Sequence, residues 1–252
     1  AVRMGRPFVR LEVSQSGRDL SLGRNVVGRL LGADPELRNE FVVIGAHYDH
    51  LGSGLMSGRY AEGSKGEIHN GADDNASGVA ALLELAEAYA LNRLRPKRTL
   101  IFVAFDAEEL GLHGSNFFVA EGGYPIELIR GMVNMDMISR NNPDVVKVGR
   151  RASDEYLGGV IEQMAKILRL TIDETGMDEF LDRSDQAPFL SADIPAVFFF
   201  GGMHGDYHSP TDDVENLSPV KMENIGRLAF LTSWGLLQQV IEPGQDEPEE
   251  SD

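Results

Sequence analysis

The chain contains no cysteine. Disulfides and thiolate chemistry are excluded, so any metal has to be held by His, Asp and Glu. The compartment stays open, because a secreted protein can do without cystines. Long apolar runs are also missing: no stretch reaches the roughly 18 residues that mark a membrane span. Positive charge is scarce, with 23 Lys and Arg against 40 Asp and Glu and a net charge of −17. A phosphate backbone would be repelled, so nucleic acid is not an expected partner. No secretory signal is visible, and the chain opens on Ala1 rather than Met, which fits a processed protein or an excised domain.

What is present suits one sizeable core. The 252 residues are 42% hydrophobic, a length common for a single α/β domain. We read residues 1–241 as one catalytic domain. Residues 242–252, "EPGQDEPEESD", are acidic, Pro-containing and without apolar periodicity, and are expected to be a disordered tail.

Apolar strands alternate with helical segments. "RNVVGRLLGA", "FVVIGAHYD", "RTLIFVAFDA", "GMVNMDMIS", "DVVKVGR" and "IPAVFFFGG" read as strands. "NASGVAALLELAEAYALNRL" has helical periodicity, with Asn75 or Ser77 as its cap. "SDEYLGGVIEQMAKILRL" is a second helix with Ser153 as its cap. A closing helix starts at Ser218 with Pro219 in its first turn. This alternation predicts a three-layer α/β/α sandwich around a mostly parallel, mixed sheet. Residues 51–70, rich in Gly, Ser and charge, read as a long surface loop that borders a pocket.

The chemistry-bearing residues lie just after the apolar strands, where open α/β sheets place their ligands. His47 and Asp49 follow "FVVIGA", Glu108 and Glu109 follow "LIFVAFDA", and Asp136 sits in "VNMDMIS". His208 comes shortly after "AVFFFGG", and "GADDNASG" precedes the first long helix. Each segment alone is ordinary: a surface turn, an N-cap, a solvated helix start. Together they bring two histidines and several carboxylates to one sheet edge, a donor set suited to hydrolytic zinc chemistry. Two Zn²⁺ ions would also offset a cluster of carboxylates that otherwise repel one another.

In their order, "GAHYDHLG", "GADDNASG", "FDAEELGLHGS", "NMDMIS", "RSDQAPF" and "DYHSPTDD" resemble the co-catalytic di-zinc exopeptidases. That family includes bacterial secreted leucyl aminopeptidases, glutamate carboxypeptidase II and the transferrin receptor ectodomain. The resemblance runs from about Arg24 to the last helix and implies the roles that follow. His47 and Asp136 hold one zinc, Glu109 and His208 the other, and Asp74 bridges both. Glu108 is the general base and Asp73 is structural. Asp49 accepts the second ring N–H of His47, and Asp212 does the same near His208. Tyr207 donates to the oxyanion, and Arg183 meets a peptide carbonyl or carboxylate. Many relatives carry His where this chain has Gln186, a position that is not a zinc ligand. His50, His69, His113 and His204 are left at the surface or behind the ligands, with His204 nearest the pocket.

The implied function is a zinc metallo-aminopeptidase with two Zn²⁺ ions, acting on peptides with a free N-terminus. By resemblance it is secreted or periplasmic. Carboxypeptidase and dipeptidase activity stay open. A single-zinc glutaminyl cyclase and a non-catalytic receptor-like module are the alternatives from other classes.

Overall fold

The computed structural model describes residues 9–10, 23–55 and 59–238. The expected acidic tail at 242–252 lies outside them. Eight strands form one sheet: β1 (Val9–Arg10), β2 (Val26–Leu30), β3 (Phe41–His47), β4 (Thr99–Phe105), β5 (Ile129–Asp136), β6 (Val145–Arg150), β7 (Thr171–Asp173) and β8 (Ala196–Phe200). Their spatial order is β1-β2-β4-β3-β5-β8-β6-β7. The central strands β4, β3, β5 and β8 are mutually parallel, while β2 pairs antiparallel to β4 and β6 antiparallel to β8.

The helices are α1 (Gly78–Leu91), α2 (His113–Glu121), α3 (Glu155–Leu168), α4 (Gln186–Ser191) and α5 (Pro219–Gln238). Strand alternation decides which layer each residue meets. Along β3, Val42, Ile44 and Ala46 pack in one core with Leu82 of α1, Ile161 of α3 and Leu228 of α5. Val43 joins Phe118 of α2 and Phe189 of α4 in a second core on the other face. Both faces of the strand are covered, which is why its sequence is a continuous apolar run instead of an alternating one. The expected sandwich is the observed architecture.

Cap residues refine the sequence reading. Ser77 stands at the N-cap position of α1, but Asn75 supplies the cap hydrogen bond: its Oδ1 accepts the Gly78 N–H at 3.0 Å. The Ser77 hydroxyl instead donates to Asp73 Oδ1 and the Asp73 carbonyl. Asp154, not Ser153, stands at the N-cap of α3. At α5, the Ser218 Oγ accepts the Lys221 N–H at 3.3 Å, as its position predicts.

Because the central strands are parallel, their C-terminal ends open on the same edge. β3 delivers His47 there, β5 delivers Asp136, and β4 and β8 deliver the loops that follow them.

Candidate metal centre

Two histidines and three carboxylates converge on this edge. His47 Nε2 lies 3.3 Å from Asp74 Oδ1 and 3.3 Å from Asp136 Oδ1. His208 Nε2 lies 3.3 Å from Asp74 Oδ2 and 3.3 Å from Glu109 Oε2. Asp74 therefore presents one oxygen to each triad. A charge-assisted N–H···O bond normally closes to about 2.7–2.9 Å, and these four separations are longer. Ligands bound at ~2.0–2.1 Å on a tetrahedron stand about 3.3–3.4 Å apart. The spacing thus fits N and O ligands around a zinc-sized ion better than direct ion pairs, and the residues present suit that group.

His50 competes for the second position, since it also converges with Asp74 and Glu109. Its Nδ1 stands 2.9 Å from Glu109 Oε1, a hydrogen-bond distance, and 3.8 Å from Asp74. We therefore assign His50 as the donor that orients Glu109, and His208 as the ligand. The sequence left His50 at the surface or behind the ligands, and the structure puts it behind Glu109. The signal was the second histidine of "HYDH", which returns to the strand edge three residues after His47.

Ordinary backbone chemistry aims these groups. The turn from β4 into the glutamates passes through Ala107 at φ 57°, and Met137 at φ 51° turns the chain just after Asp136. His208 itself has φ 54°. Such conformations are disfavoured for residues with a Cβ and persist where the surroundings impose them. Asn75 ties the two sides of the first triad together. Its amide donates to the Met135 carbonyl and its oxygen accepts the Met137 N–H, on either side of Asp136. The Ser184 hydroxyl donates to Asp136 Oδ2 at 2.7 Å, leaving Oδ1 for an ion. Ser184 in turn accepts from Asn134, whose amide also meets Gln186.

Two expected roles are corrected. His47 Nδ1 contacts the main-chain carbonyl of Asp49 at 3.0 Å, while the Asp49 carboxylate is 3.7 Å away. That carbonyl can only accept, so the tautomer leaving Nε2 free is fixed by backbone. The Asp49 carboxylate instead accepts the N–H groups of Glu108 and Glu109 at 3.0 and 3.2 Å. Asp212, expected beside the His208 ring, accepts the N–H groups of Asp73 and Asp74 at 2.9 and 3.0 Å. Each of these carboxylates thus clamps two consecutive amides under a ligand-bearing pair, where turning backbone leaves donors without a ladder partner. Asp73 Oδ1 is taken by Ser77 and Ser139, and the His204 ring lies 3.3 Å from Asp73 Oδ2. His69 is buried rather than at the surface, and its ring meets the Ser64 hydroxyl at 3.1 Å.

Electrostatics separate the paired glutamates. Burial raises the Glu108 carboxyl well above its usual range despite nearby His47, and the charges of Asp136, Asp185 and Glu109 push the same way. For Glu109 burial also favours the neutral form, but the adjacent His208 ring and the hydrogen bond from His50 outweigh it and lower its pKa. Asp74 is lowered on the same balance, against burial, by His208 and His47. His208 overcomes its burial through Asp74 and Glu109 and rises to about 9. Asp185, fully buried beside the centre, is pushed to about 7 by desolvation. Burial, then the surrounding carboxylates, raise the Tyr207 hydroxyl, so it keeps its proton. The Tyr207 ring stacks on His208 with centroids 3.8 Å apart. The centre opens into a pocket that Tyr207 and Arg183 help to line.

The family described as peptidase family M28 matches residues 25–233 of this chain. Leupeptin-inactivating enzyme 1 of Streptomyces exfoliatus is 30% identical over 254 residues, covering 88% of this chain and 51% of that protein. Aminopeptidase YwaD of Bacillus subtilis is 29% identical, covering 81% and 43%. The chain thus spans about half the length of the curated relatives it matches. Among solved structures, the aminopeptidase from Aneurinibacillus sp. strain AM-1 superimposes with a TM-score of 0.65 at 27% identity, over 87% of this chain and 50% of that one. A Porphyromonas gingivalis glutaminyl cyclase reaches a TM-score of 0.71 at 16% identity, over 90% and 83%, a likeness of fold.

Proposed function

The chain belongs to peptidase family M28, and on that footing we propose that it is a zinc-dependent aminopeptidase with two Zn²⁺ ions. The observation that carries this reading is the set of four His-to-carboxylate separations of 3.3 Å that share Asp74. His47, Asp74 and Asp136 would hold one ion, and Asp74, Glu109 and His208 the other. Bound zinc supplies Lewis acidity toward the scissile carbonyl and makes water a stronger acid.

The side chains of the protein supply the remaining steps. Glu108 is held by burial at a raised proton affinity, which suits a group that takes a proton from water and passes it to the leaving amine. Glu109 next to it stays anionic, which suits a ligand. The protonated Tyr207 hydroxyl, on the cavity wall, can donate to the oxygen that gains charge as the carbonyl is attacked.

A panel of aminoacyl-nitroanilides and N-blocked peptides, with and without chelator, tests the reading. Chelator-sensitive release from free N-termini alone is the expected result. Cleavage of blocked peptides would contradict it, and release of ammonia from Gln-peptides would move the assignment to a cyclase.

A further inference from the structure

The turn that follows β8 forms part of the pocket wall, and it has little stiffness of its own. Residues 201–203 read Gly-Gly-Met, and Met203 lines the pocket with 44% of its surface exposed. A Cβ on Gly201 would stand 2.6 Å from the Met137 carbonyl oxygen, and Gly202 has φ 102°, so both positions call for glycine. Two glycines in a row leave the backbone free to move unless groups outside the turn fix it. Two donors supply that. The side-chain amide nitrogen of Asn141 lies 3.2, 3.1 and 3.2 Å from the carbonyl oxygens of Gly201, Gly202 and Met203. The Lys221 ammonium, from the first turn of α5, donates to the same Gly201 carbonyl at 2.9 Å and to the Asn142 carbonyl at 3.0 Å. Lys221 is fully buried, and burial lowers its pKa to about 8. Among the described residues its hydrogen bonds go to carbonyls and to no carboxylate. A buried cation without a partner ion is costly, and packing alone would be served by an apolar side chain. The charge serves the two carbonyls.

We infer that Asn141 and Lys221 are positioning residues: they fix the 201–203 turn, and through Met203 they set which side chains of the first substrate residue the pocket favours. The inference rests on the aminopeptidase reading and adds to it two residues outside the metal centre. Met203 shares the pocket wall with Met137, Phe198 and Phe200, an apolar lining suited to an apolar side chain. Those three are buried in a cluster of their own and are held by packing. Met203 is half exposed on an unbranched, flexible side chain, so its place depends on its backbone. When the turn loosens, that part of the wall retreats. The loss falls on a substrate whose side chain fills the pocket and spares one with a small first residue.

The test measures kcat and KM of the zinc-loaded full chain on leucine and alanine p-nitroanilide, beside the NMR signal of the Met203 methyl group in protein with labelled methionine methyls. Asn141 is exposed and has φ 71°, so Asn141→Gly removes the amide without straining the backbone. In that variant kcat/KM on the leucyl substrate is expected to fall about tenfold, mainly through KM, with the alanyl substrate little changed. The Met203 methyl signal, assigned through Met203→Leu, shifts and sharpens. Asn141→Asp, which keeps the size and turns acceptors toward three carbonyls, loses at least as much. Lys221→Met gives the same pattern, and Lys221→Arg, which keeps a charged donor, restores part of the leucyl preference. Zinc content stays at the wild-type level throughout, and circular dichroism confirms folding; the Asn141 variants carry the test if Lys221→Met does not fold. A leucyl-to-alanyl ratio unchanged in Asn141→Gly, a methyl signal that stays in place, or a loss of kcat shared equally by both substrates overturns the inference. If the wild type cleaves neither nitroanilide, the aminopeptidase reading fails and the selectivity role with it. A wild type that cleaves both, with variants that keep its ratio, sinks the positioning role alone.

Discussion

At the N-terminal ends of the parallel strands, the half-buried Glu40 meets two guanidinium groups. Arg98 Nε donates at 2.6 Å and Arg130 at 2.7 Å, and Arg98 also caps the Leu236 carbonyl at 2.7 Å. Burial alone would raise the Glu40 carboxyl, but these bonds lower it. At the opposite ends of the same strands, Asp74, Glu108, Glu109 and Asp136 crowd together around imidazoles. There burial raises Glu108 and Asp136. The sheet thus carries one carboxylate whose charge is matched by side chains and a cluster whose charge is not. The first arrangement closes the fold, and the second calls for cations from outside the chain.

Substitutions can sharpen that contrast. The largest effect is expected at the unmatched end. Glu108→Gln should lower kcat by about 10³-fold while zinc content stays at the wild-type level. Loss of metal instead would mean that the two glutamates exchange roles. At the matched end, Arg98→Ala should cost about 1–3 kcal/mol of stability in denaturant unfolding, because it leaves the Leu236 carbonyl and Glu40 each short of a guanidinium donor. Activity per folded molecule should not change.

Much of this division was legible from the residue string. Strand-borne groups, His47 and Asp136, follow directly from apolar runs that end in a polar residue. The paired glutamates read correctly as a turn at a strand end. What escaped was the direction of side chains on loops. Asp212 and Asp49 reach main-chain N–H groups, and no spacing rule reveals which amides a turn leaves without a partner. His50 was left between the surface and a place behind the ligands because only the folded loop shows that it comes back to Glu109. Arg59 sits in a stretch without periodicity, so its place on the pocket wall depends on tertiary contacts alone. The short helices α2 and α4 and the edge strand β7 carry too few residues for a period to emerge.

The groups that support Asp74 and Asp136 allow a finer comparison. Asp212→Ala frees the amides beneath Asp74, and Ser184→Ala frees Asp136 Oδ2. Each should weaken zinc binding by about 10- to 100-fold, read by competition with a chromophoric chelator. Asp212→Asn, which keeps an acceptor oxygen, should restore much of the loss. A loss in Asp212→Ala confined to kcat would contradict a positioning role through the bridging carboxylate.

The smallest effect is a pH slope. In metal-free protein, His208 titrates near 9 instead of 6.5, so its stabilising proton is fully bound below about 6.5 and is lost as pH rises toward 9. Asp185, raised to about 7, acts in the same sense at lower pH, because the folded state keeps a proton that the unfolded chain has released. The melting temperature with chelator should therefore fall between pH 6.5 and 9. With zinc the slope should flatten, since ring nitrogens then hold metal in place of protons. A metal-free protein equally stable at both pH values would show that His208 is not held by the carboxylates.

The shared role of Asp74 is the central claim, and zinc stoichiometry tests it most directly. Equilibrium dialysis of the full chain at saturating zinc should give two ions per chain, and Asp74→Ala should lose tight binding of both. A wild-type protein that saturates at one ion, or an Asp74→Ala variant that still binds two, would contradict the account.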